Sequence, residues 1–67
     1  MLTLYSLFLS GRGGERRFIP VHCGSHVELL RRAKAALEAD EQARLVEARF
    51  GEELLFILEK TTETTPA

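Results

Sequence analysis

Asp40-Glu41-Gln42-Ala43-Arg44-Leu45-Val46-Glu47-Ala48-Arg49-Phe50 is the stretch on which the fold turns. It follows a segment of helical periodicity. Its opening Glu41-Gln42-Ala43-Arg44 keeps helical propensity, and no Gly or Pro stands near Asp40 to stop a helix. Read as helix, the stretch carries one long helix to Arg49 and leaves a single strand behind it. Read as strand from about Ala43, it turns at Phe50-Gly51-Glu52-Glu53. It then pairs with the apolar run Leu54-Leu55-Phe56-Ile57-Leu58. We adopt the second reading and end the helix near Asp40.

Working back from there, Ser25-His26-Val27-Glu28 matches a capping box, in which a Ser oxygen and a Glu carboxylate each satisfy an orphan backbone N–H. Leu29, Leu30, Ala33, Ala36 and Leu37 follow on one helical side, with Glu28, Arg31, Arg32 and Glu38 opposite. Upstream, residues 2–10 read as a strand, and Gly11-Arg12-Gly13-Gly14 supplies the positive φ that hairpin loops need. Residues 15–22 form the return strand, with Phe18, Ile19 and Val21 at its centre. Pro20 cannot donate a ladder hydrogen bond, so it places this strand at a sheet edge or a bulge.

The order strand, strand, helix, strand, strand predicts an α+β fold, ββαββ. Its four-stranded, mainly antiparallel sheet has the order 2-1-3-4, with one helix packed on one face. Residues 1–60 form this single domain. Residues 61–67 carry no large apolar side chain and are expected to form a disordered C-terminal tail.

The strands are apolar on both sides. In the first, Leu2, Leu4 and Phe8 oppose Tyr5, Leu7 and Leu9; in the last, Leu54, Phe56 and Leu58 oppose Leu55 and Ile57. Such strands are buried on both faces, and one helix covers one. A chain of 67 residues also buries only about 60% of its unfolded surface and needs help to be stable. Its single Cys makes no internal disulfide. One Cys and two His fall short of a closed zinc site. Oligomerisation is the aid that remains, most simply a homodimer, and Leu7, Leu9, Phe56 and Leu58 are the expected interface.

Net charge is −1, with six basic and two acidic groups in residues 1–34 against three basic and eight acidic in 35–67. The overall balance gives no basic footprint for nucleic acid. Arg12, Arg16 and Arg17 around the glycine-rich hairpin nevertheless offer a nucleic-acid contact, since Arg can bridge phosphate oxygens. The apolar run at residues 2–9 has no basic residue before it and no cleavage site after it. It is also far shorter than the roughly 20 residues that span a bilayer. With one free thiol, this points to a cytoplasmic protein with no membrane partner.

His22-Cys23-Gly24-Ser25-His26 holds the only Cys and both His at the strand-to-helix junction. There His22, Cys23, Ser25 and His26 could gather an anion or a redox partner, as helix N–H dipoles favour negative charge. The His-Cys start resembles that of the tyrosine-phosphatase loop. That loop places an Arg six residues after its Cys, and here Leu29 stands in that place. His22 precedes the helix, so its spacing to His26 defines no metal site. Gly13-Gly14, Phe18-Ile19-Pro20 and the alanine-rich residues 33–39 resemble small antitoxin-like domains over about a third of the chain. The second hairpin departs from that pattern. No nucleophile–base–orienter set is visible, and no cofactor is expected. The sequence therefore points to a non-enzymatic homo-oligomeric binding or assembly module acting through protein–protein contacts. A nucleic-acid regulator and a small anionic ligand or redox site stand behind it.

Overall fold

In the computed structural model, which describes residues 1–60, the chain after Asp40 is strand, not helix. Asp40 itself accomplishes the stop. Its backbone is extended, with φ −103° and ψ 107°. Its Oδ1 accepts the Gln42 N–H at 3.0 Å, and its carbonyl accepts the Ala43 N–H at 3.1 Å. A short acid that bonds to the backbone two residues on competes with helix continuation. The Lys60 ammonium also donates to the Asp40 carbonyl at 2.8 Å, and Arg17 pairs with its Oδ2 at 3.1 Å. Contacts from both ends of the sheet hold the corner.

The elements are β1 (Thr3–Gly11), β2 (Arg16–Cys23), α1 (His26–Ala39), β3 (Ala43–Phe50) and β4 (Glu53–Glu59). They form one antiparallel sheet in the order β2-β1-β3-β4, the order expected. The tail expected at residues 61–67 lies outside the described residues. At the start of α1, Ser25 Oγ accepts the Glu28 N–H at 3.2 Å. Glu28 Oε1 reaches back to the Gly24 N–H at 2.8 Å, one residue earlier than a capping box requires. In the second hairpin Phe50 opposes Glu53 around a two-residue loop. Gly51 has φ +63° and no non-glycine residue described has positive φ, the pattern of a type II′ turn.

Two end contacts fix which backbone groups each outer strand keeps free. Gly11 N–H donates to Glu15 O at 2.9 Å. By antiparallel alternation, Arg17, Ile19, Val21 and Cys23 then bond inward to β1, while Arg16, Phe18, Pro20 and His22 turn outward. Pro20 thus spends its missing N–H on the outer side of an edge strand. Lys60 N–H donates to Arg44 O at 2.8 Å. In β4, accordingly, Phe56 and Leu58 bond inward to β3, and Ile57 and Glu59 turn outward.

Helix α1 lies on the face carrying Tyr5, Leu7, Leu9, Cys23, Val46 and Ala48, all buried. Its own buried residues are Leu29, Ala33 and Leu37, at helical spacing. Leu30, placed by periodicity on the same stripe, is instead 45% exposed. It hangs over the gap between α1 and β4.

A candidate interaction face opposite the helix

Away from α1, side chains fall into cross-strand rows. One row runs Phe18–Phe8–Glu47–Ile57, and the next runs Pro20–Ser6–Arg49–Leu54. The rings of Phe8 and Phe18 lie 5.3 Å apart, and the Arg16 guanidinium sits 5.3 Å from the Phe8 ring centre. Leu4, Phe18, Leu54 and Ile57 remain 52%, 56%, 43% and 47% exposed. This is a half-bare apolar face crossed by one polar seam.

The seam is internally satisfied. Glu47 accepts from Arg16 at 3.3 Å and from Arg49 at 3.2 Å, one from each side. Arg49 also donates to the Glu52 carbonyl at 3.4 Å. The trio of two Arg and one Glu keeps one positive charge in excess. Glu59, opposite Leu45 on the same face, brings the formal balance to two positive (Arg16, Arg49) and two negative (Glu47, Glu59) groups.

The four residues expected at an interface lie on the helix-covered face. Leu7 is fully buried and Leu9 is 3% exposed, both in the core under α1. Phe56 and Leu58 are partly buried on that same face. The two-sided apolar pattern is real, but the side still open is that of Leu4, Phe8, Phe18, Leu54 and Ile57. Period-two alternation separates two faces without saying which one the helix takes.

The strand-to-helix junction does not converge. Cys23 is fully buried facing α1, whereas His22, its neighbour along an extended strand, is exposed on the opposite face beside Leu4. Burial, together with the Glu28 carboxylate, pushes the Cys23 thiol above its ordinary pKa, and Arg32 only partly offsets this. That is the reverse of an activated thiolate. Ser25 is engaged as the cap, and Glu28 occupies the Gly24 N–H that an anion would seek. His26 is exposed, with its ring edge-on to Tyr5 at 6.0 Å. Phe50 flanks the same Tyr5 ring at 5.7 Å. Among the described residues no group of three His, Cys, Asp or Glu is placed to hold a metal.

The hairpin arginines separate as well. Arg16 belongs to the seam and Arg17 pairs with Asp40, each through an exposed side chain. Arg12, at the exposed tip, is without an ion pair among the described residues.

Compared with known protein families, characterised proteins and solved structures, the chain matches none. Its class therefore rests on its own architecture: an α+β ββαββ domain with one sheet face covered. Among the described residues no helix is long and apolar enough to cross a membrane.

Proposed function

We propose that the chain is a small non-enzymatic homodimeric module for protein–protein contact, whose copies meet through the open sheet face. The observation that carries this reading is the half-bare set Leu4, Phe18, Leu54 and Ile57 opposite a helix that covers only the other face. Covering the exposed half of each side chain is worth on the order of 1 kcal/mol, gained on both copies of a twofold pair. A second copy suits the face because its charges balance, two against two, so self-association meets no net repulsion. The free thiol suits a reducing, cytoplasmic setting.

Light scattering over a dilution series, at low and high salt, tests the proposal. The expected result is a dimer that persists at micromolar concentration. Phe18→Glu should then halve the mass while the circular dichroism of the fold is kept. A native chain that stays monomeric at every concentration would sink the reading.

A further inference from the structure

On the open face the cross-strand pairings arrange side chains in rows that run from β2 to β4. Arg16, Ser10, Leu45 and Glu59 make the first row. Phe18, Phe8, Glu47 and Ile57 make the second, and Pro20, Ser6, Arg49 and Leu54 the third. Opposite charges therefore end the first row, Arg16 on β2 and Glu59 on β4. They sit on the two edge strands, and three strand spacings, roughly 14 Å, keep them from meeting within one chain. Arg16 gives one nitrogen to Glu47, yet its side chain is still 58% exposed. Glu59 is exposed and makes no ion pair among the described residues. The trio around Glu47 is one positive charge in excess, and Glu59 is the carboxylate that balances it.

When two copies of a sheet pack in the aligned way, strands within about 30° of each other, the twofold axis lies between the faces. It runs either along the strands or across them. Along the strands, midway between β1 and β3, it sets each row against its own reverse. Arg16 then faces Glu59 of the second copy, Phe18 faces its Ile57, and Pro20 faces its Leu54, each contact made twice. Across the strands, β2 faces β2 and β4 faces β4. Centred on the second row, that axis stacks Glu47 on Glu47, and centred on the third it stacks Arg49 on Arg49. Centred between them, it opposes Glu47 to Arg49, which are already partners in one chain. It also sets Arg16 against His22 and Glu59 against the turn at Glu52.

We propose that the two copies pack about the axis along the strands, and that Arg16 against Glu59 of the second copy selects this register. The proposal rests on the open-face dimer put forward above and adds its geometry. Charges at a rim act on register and partner choice more than on raw affinity, and like charges brought together are strongly disfavoured.

Sedimentation of the full chain with two charge reversals, Arg16→Glu and Glu59→Arg, tests it. Each variant alone places like charges at both contacts, so each should raise the dissociation constant at least about tenfold. An equal mixture of the two variant chains has opposite charges at both contacts and should recover most of the lost association. Because residues 16 and 59 cannot meet in one chain, that rescue reports on the interface alone. A second measurement leaves every charge in place. Chains carrying Phe18→Cys and Ile57→Cys, when mixed, should be joined by a short bismaleimide much faster than either variant alone. Native Cys23 is buried away from the reagent. A native chain that dimerises, with variants that show no rescue on mixing, would overturn this register and leave the open-face reading standing. Faster joining of Phe18→Cys to itself would do the same, since it marks the axis across the strands. A native chain that is monomeric at every concentration would overturn both.

Discussion

The helix-covered face of the sheet and its open face are made from the same four strands, and both are apolar, yet they end in opposite states. On the covered face Leu7, Val46 and Ala48 lose all their exposure. On the open face Phe18 and Ile57 keep about half of theirs. Strand propensity cannot explain the difference, since neighbouring residues of one strand supply both sides. What differs is cover. A single helix of 14 residues offers one stripe, Leu29, Ala33 and Leu37, and that stripe serves one face. The open face instead gathers its charges into a satisfied seam, Arg16–Glu47–Arg49, between aromatic and aliphatic rows. That face keeps its apolar side chains half exposed beside paired charges.

Substitutions can break that comparison. Leu7→Ala should have the largest effect, about 2–5 kcal/mol, because it opens a cavity in the core. That approaches the whole stability of so small a domain, so urea titration should show loss of the cooperative transition. Leu4→Ala, the matched change three residues earlier on the open face, should cost under about 1 kcal/mol in dilute monomer. Equal costs at the two positions would mean that the faces do not differ as described.

For the proposed dimer, Phe18→Glu should come next, raising its dissociation constant at least about tenfold, or about 1.4 kcal/mol. The monomer's melting temperature should hardly change. Sedimentation and thermal melts together check this pair of outcomes. Gly51→Ala touches neither face and strains the positive φ of the β3–β4 turn. About 1 kcal/mol of stability should be lost, with the monomer–dimer balance of the folded chain unaltered.

The smallest effect concerns Cys23, which only the covered face makes inert. Its thiol ionises less readily in the folded chain than in the unfolded one, because burial and Glu28 disfavour the thiolate. Above the ordinary thiol pKa the unfolded state therefore holds fewer protons, and stability falls as pH rises. Below that pKa this residue leaves stability unchanged. Melts from about pH 7 to pH 10 should show that decline in the native chain, reduced in Cys23→Ala. Alkylation of native Cys23 at about pH 8 should be much slower than that of a free thiol. Rapid alkylation would mean that the covered face opens readily.

Much of the fold was legible in the residues. The Ser25 cap, the Leu29–Ala33–Leu37 stripe, the Gly51 turn and Pro20 at an edge are local signals with local causes, and all four appear in place. The end of the helix was harder to read. Asp40 is no Gly or Pro, and its role depends on Arg17 and Lys60, remote in sequence. An Asx-type bond from Asp40 to Gln42 was the available signal. For the candidate interface, alternation sorted side chains into two sets but attached the helix to neither. Leu7, Leu9, Phe56 and Leu58 were therefore expected outside when they lie on the helix side. Arg16 and Arg17 looked like a basic cluster because Glu47 and Asp40, their partners, stand far along the chain.

The sequence by itself determined the elements and their order: period two or period 3.6, a cap and turn residues are conditions on neighbours, met within a few residues. The tertiary structure alone decided which sheet face α1 covers and which charges pair. Those outcomes depend on side chains brought together across the sheet, such as Arg16 with Glu47, 31 residues apart. No local pattern encodes that distance.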